Sequence, residues 1–179
     1  MTFASILTEW ASTYRPMMHN PEIGNKRLFF INGPQGVVDF TKDVEDKLSP
    51  CVLFDFTVEG EIKEGRVDRF YPVYFMVKAQ PLNGTASGMA DGEAAAVALE
   101  WAWTHAQAFL AWIGKKIHDN QFDQNYSMID LDEFTPFNTA GPLQNGWWGV
   151  LIQFTRNESR WLCPNEADYI VPCCDGEEE

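Results

Sequence analysis

Asp130 and Asp132, in the run Asp130-Leu-Asp-Glu133, form the densest acidic signal inside the chain. Set two residues apart on a strand, they project to one side, where they would grip a divalent cation or act as an acid and a base. The glycine that closes a calcium-binding loop is absent, which favours a solvent-facing strand end. A small hydrolase built on this pair therefore ranks third among the functions considered. The three histidines are His19, His105 and His118. His105 and His118 fall on one helical pattern, roughly 220° apart around its axis, so they cannot share a site. With no ligand set around them, all three are expected to be solvated. The chain has no HExxH, no GxSxG, no phosphate-binding glycine loop and no dinucleotide fingerprint. Its serines have no neighbouring motif. We therefore assign no catalytic residue, no cofactor and no metal ligand, and expect a protein that is not an enzyme.

Cysteines occur at 51, 163, 173 and 174. Cys51 lies in an apolar strand pattern and reads as a small core residue. Cys163, Cys173 and Cys174 have neither CxxC nor paired zinc spacing. A bridge from Cys163 to Cys173 or Cys174 is open, but a cytosolic origin argues for free thiols.

The positions of these residues depend on the elements around them. Phe3, Ile6, Leu7, Trp10, Ala11 and Tyr14 repeat at helical spacing, with Thr2 as cap and Pro16 as stop. Leu28–Ile31 reads as a short strand, 32–36 as a turn, and Val37–Phe40 as chain that pairs back or starts another strand. Cys51–Glu59 and Phe70–Ala79 alternate apolar and polar residues. They predict a long antiparallel hairpin whose charged link, 60–69, projects as a polar tip. Pro72 marks an edge or bulge. A helix is expected over about 91–118, with Leu99, Trp103, Ala106, Leu110, Ile113 and Ile117 facing the core. Val97, Trp101, Ala108 and Trp112 fall on another side, an apolar surface wider than one sheet needs. Met128–Phe134 and Trp147–Arg156 predict a closing strand pair across a loop at 135–146. The fold class is then α+β: a mainly antiparallel sheet with a long hairpin, one long helix and an N-terminal helix packed on one face. Residues 1–157 form a single domain, and 158–179 an irregular acidic C-terminal extension.

Composition narrows the function classes. The chain has 179 residues, 45% of them hydrophobic, enough for a real core. Its formal net charge of −13 argues against binding nucleic acid through phosphates, or binding anionic membranes. Residues 119–179 hold only Arg156 and Arg160 against 12 acids, so the negative charge gathers toward one end. The first residues lack the basic and apolar regions of a secretory signal, which predicts a chain kept in the cytoplasm or exported without one. The apolar stretch 94–113 is too polar to span a bilayer.

Of the seven tryptophans, Trp10 and Trp103 fit the core. Trp101 and Trp112 share the second side of the long helix, and the adjacent Trp147 and Trp148 must point to opposite faces of their strand. One of each pair is a candidate anchor for an interface, because Trp gives much contact area with few rotors. Glu64 and Arg66, at the hairpin tip, are the further interface candidates. An aromatic nucleic-acid platform would need interleaved basic residues, which are missing.

The N-terminal helix, the hairpin over 51–79, the helix over 91–118 and the final strand Gly146-Trp-Trp-Gly-Val-Leu-Ile-Gln-Phe-Thr-Arg156 together resemble the small tail-terminator, or tail-completion, proteins of tailed bacteriophages. The resemblance covers residues 1–157 and is one of element order and size. It implies a hexameric ring that caps the tail tube, stops its growth and joins the head connector. The partners it implies are further copies of the chain, tube subunits and connector proteins. The place is the virion tail or neck, reached from the host cytoplasm during assembly. A closed ring needs a heterologous patch on each subunit, for which the excess apolar helix surface and the Trp pairs are available. An acidic lumen would let DNA slide without sticking. The alternative is an acidic module that mimics DNA and inhibits a nuclease.

Overall fold

The structure, a computed structural model, describes residues 2–43, 48–57, 59–63, 66–79, 92–119, 129–143 and 146–158. They build an α+β domain with three helices and one six-stranded sheet. The elements are α1 (Phe3–Thr13), β1 (Leu28–Ile31), α2 (Gly33–Asp43), β2 (Cys51–Asp55), β3 (Glu59–Lys63), β4 (Arg66–Lys78), α3 (Gly92–Asp119), β5 (Ile129–Leu143) and β6 (Trp147–Glu158). The sheet runs β1-β2-β4-β6-β5, and β3 pairs with β4. All pairings are antiparallel except β1 with β2.

Local chemistry explains the first helix. Thr2 Oγ1 accepts the Ser5 amide, and the Ser5 hydroxyl accepts the Thr2 amide in return, a reciprocal cap. Phe3, Ile6, Leu7, Trp10 and Ala11 then form one buried stripe. Phe3 sits among Tyr71, Phe54 and Phe154, with ring centroids 4.7, 5.7 and 5.6 Å away. Trp10 meets Phe75 and Phe109 edge-on. The main core thus lies between α1 and α3 and one face of the sheet, where Val52, Val73, Phe75, Val150, Ile152 and Phe154 are buried.

Five sequence expectations need correction. Residues 33–43 form a helix, where a turn and a strand were expected. Pro34 suits a first helical turn, and Gly33 supplies the positive φ of 69° that starts it. Val37 and Phe40 have helical spacing and bury against Ile31, Leu53, Met76 and Trp147. This second cluster lies on the opposite sheet face, so the helices cover both faces. All five residues of β2 are consequently buried. The hairpin is the second correction. Its first arm leaves the strand after Asp55 and resumes as β3 at Glu59, and its second arm starts at Arg66, so most of the expected link is strand. Asp55 fixes the break: its Oδ1 accepts the Gly33 amide at 3.0 Å and the Thr57 amide at 2.9 Å, and also the Thr57 hydroxyl.

The third correction concerns 135–143. Turn residues notwithstanding, this stretch stays in β5, with register shifts between Asp130 and Thr135 and between Thr139 and Leu143. β5 is an edge strand, where prolines are tolerated and bulges absorb irregular residues. Fourth, the buried face of α3 runs through Ala98, Ala102, His105, Ala106, Phe109 and Ile113. Leu99, Trp103, Leu110 and Ile117 stand at its half-buried shoulder. The small alanines let the helix lie close to the sheet, a factor that ranking by side-chain size does not capture. The fifth correction is to the histidines. His105 and His19 are buried, and only His118 is exposed.

Candidate assembly surface

Among the described residues, the large exposed apolar side chains fall in three places, one of them the turn that carries Met18 and Ile23. On the outward side of α3, Trp101 and Val97 are 55% and 41% exposed, one helical turn apart. The second place is the β1 side of the sheet. There Phe30 and Phe56 are 52% and 53% exposed, with the Phe30 ring 5.9 Å from that of buried Phe54. Phe54 lies under Phe3, where α1 begins, and Phe30 continues the same aromatic cluster into solvent, while the Phe56 amide donates to the Ile31 carbonyl beside it. Sequence reading singled out Trp101 and missed both phenylalanines. Their alternating pattern matches that of their buried neighbours, and only the length of the covering helix separates them.

The other candidates are placed differently. Trp112 is half-buried, stacked near Phe109 at 6.2 Å, with Lys116 Nζ 5.2 Å over its ring. Trp147 is fully buried in the second core cluster, against Phe40. Trp148 is half-buried on the opposite face, where its strand partner is Val77. The core therefore occupies Trp147 and leaves Trp148 as the outer member of the pair. Glu64 lies outside the described residues. Arg66 begins β4 paired with Lys63, and its side chain lies outside the described portion.

Asp130 is partly exposed and pairs with Thr155, and the Asp132 side chain is not among those described. Among the described residues no group of three or more His, Cys, Asp or Glu side chains could hold a metal ion. Cys51 is a buried free thiol whose titration burial pushes far up. Cys163, Cys173 and Cys174 lie outside the described residues, as does the extension from 159 onward.

The buried histidines tie segments together. Tyr14 Oη lies 3.0 Å from His105 Nδ1 and links the end of α1 to α3. Burial lowers the His105 pKa to about 4, so the ring is neutral. Glu9 and Lys116 pair at 2.7 Å between the same helices. His19 Nδ1 accepts two amides, from Arg27 at 2.9 Å and Leu28 at 3.2 Å, and so anchors the start of β1. Among the described residues no helix is long and apolar enough to cross a membrane.

Comparison with known proteins finds no matching family model, curated protein or solved structure.

Proposed function

We propose that this chain is a structural assembly protein, a ring-forming subunit of the tail-terminator or head–tail connector kind. The carrying observation is the exposed Trp101–Val97 pair on α3, well apart in sequence from a pair of exposed phenylalanines, Phe30 and Phe56. Two unlike apolar patches on one subunit suit head-to-tail contact, in which one patch meets the other on the next copy and the series closes. A self-complementary dimer needs only one such patch. Trp, with its large area and few rotors, is the side-chain type that most often anchors such a contact. The charge of −13 supports a ring whose channel repels DNA.

The test is native mass by light scattering with sedimentation over a range of protein concentrations. A discrete oligomer, hexameric for the tail-terminator reading, is expected. Trp101→Glu should shift it to monomer with unchanged circular dichroism. A wild-type chain that stays monomeric at every concentration, or a Trp101→Glu variant that assembles normally, would overturn the reading.

A further inference from the structure

Beside the C-terminal half of α1 lies an open cleft of about 510 Å³, walled by Thr8 and Ser12 on one side and by the turn 18–25 on the other. On the helix side its hydroxyls present acceptors. Thr8 Oγ1 donates to the Ala4 carbonyl and Ser12 Oγ to the Thr8 carbonyl, each at 2.8 Å. With those protons committed inside the helix, both oxygens face a ligand as acceptors. Glu22 adds a carboxylate, the one acidic side chain of the lining.

The opposite wall is held open by its own hydrogen bonds. Met18 has φ of 43°, a left-handed conformation uncommon for a residue with a side chain. Asn25 Nδ2 fixes it by donating to the Met17 and Met18 carbonyls at 2.9 and 2.6 Å. The outcome is an apolar rim: Met18 and Ile23 are 59% and 78% exposed beside the carboxylate. His19 also lines the cleft. Because its Nδ1 accepts two backbone amides, its ring proton sits on Nε2, the one N–H it can offer a ligand. A strained turn that exposes apolar side chains beside several acceptor groups is the kind of feature found at recognition sites.

We infer that this cleft receives a lysine side chain from an extended segment of a partner protein. The ammonium has three donors, and the cleft offers three separate acceptor groups on two elements: Thr8 Oγ1, Ser12 Oγ and the Glu22 carboxylate. That arrangement suits a compact ammonium better than the flat fork of a guanidinium. The methylene stem lies against Met18 and Ile23. His19 Nε2–H donates to a main-chain carbonyl of the same segment. The acidic chain as a whole attracts a basic partner.

The test is an amide-resolved NMR titration of the intact chain with the tripeptide acetyl-Ala-Lys-Ala-amide. Saturable shifts are expected at Ser12, His19 and Ile23. Replacing lysine by norleucine in the peptide, or Glu22→Gln in the protein, should weaken binding roughly two- to fivefold, the scale of one exposed ion pair. Glu22 is on the surface, so the variant keeps its fold, which the same spectra verify. The inference fails if the lysine peptide gives no saturable shift, or if the norleucine peptide binds as well. It fails too if butylamine alone binds as tightly as the tripeptide, since that would leave the main-chain contact without a role.

Discussion

His105 shows how a side chain that reads as surface chemistry becomes part of the interior. Its neutral ring meets Tyr14 across two helices, and burial holds its pKa near 4, below the ordinary 6.5. The folded state thus binds its proton less readily than the unfolded state. The stability this group confers is complete above about pH 6.5 and is lost as pH falls from there toward 4. Burial and the nearby Lys26 shift His19 in the same direction. Urea midpoints measured between pH 7.5 and 4.5 should therefore fall with acidification, and His105→Gln should flatten part of that fall and leave the His19 share. A variant as acid-sensitive as wild type would show that His105 is not the titrating group. Histidine burial was not legible in the sequence because it follows from a partner 91 positions away. Trp10 and Cys51 were legible because their immediate neighbours already form a stripe or an alternation.

At the scale of elements, periodicity located α1, β1, the hairpin, α3 and β6. It failed where tertiary contact overrides local signals. Gly33 and Pro34 look like a turn until Asp55, in another strand, accepts the Gly33 amide and lets a helix begin there. The apparent loop at 135–146 is largely strand because β6 offers a pairing edge that glycines and prolines cannot veto at a sheet margin. Gly149 carries the most testable packing claim. A Cβ there would lie 2.8 Å from the Phe75 carbonyl oxygen and would collide with the Met76 sulfur. Since β4 and β6 are both interior, neither strand has room to withdraw. Gly149→Ala is expected to cost about 1–3 kcal/mol in urea unfolding, the usual penalty of overpacking. A change below 0.5 kcal/mol, on the order of a neutral surface substitution, would mean that the strands separate more easily than this packing implies.

For the whole molecule, the sequence made the α+β class legible, but not the division of its helices between two faces. Nothing local in α2 says which side of the sheet it will take. The candidate assembly surface was half legible: Trp101 was found by helical phase, while the exposure of Phe30 depends on where α1 begins, with Phe3 over Phe54. Charge makes a separate prediction. Copies carrying −13 repel one another, so apolar patches must overcome that repulsion in any ring. Raising salt from about 0.05 to 0.5 M shortens the screening length from roughly 14 to 4 Å. Sedimentation should then show more oligomer at high salt. Dissociation by salt would instead assign the contact to ion pairs and remove Trp101 from its centre.

The place of β6 has a further consequence for how the fold is reached. It is the last described strand in chain order, yet it lies between β4 and β5. β5 joins the sheet only through β6, so until β6 docks, β4 presents an unpaired edge. Phe154 and Ile152 are then absent from beneath α1 and α3. β6 pairs with β5 as a local hairpin, so the sheet is closed by docking that hairpin onto β4, a step made of contacts distant in sequence and therefore slow. A nascent or partly unfolded chain is accordingly most exposed to edge-to-edge aggregation during the interval before that docking.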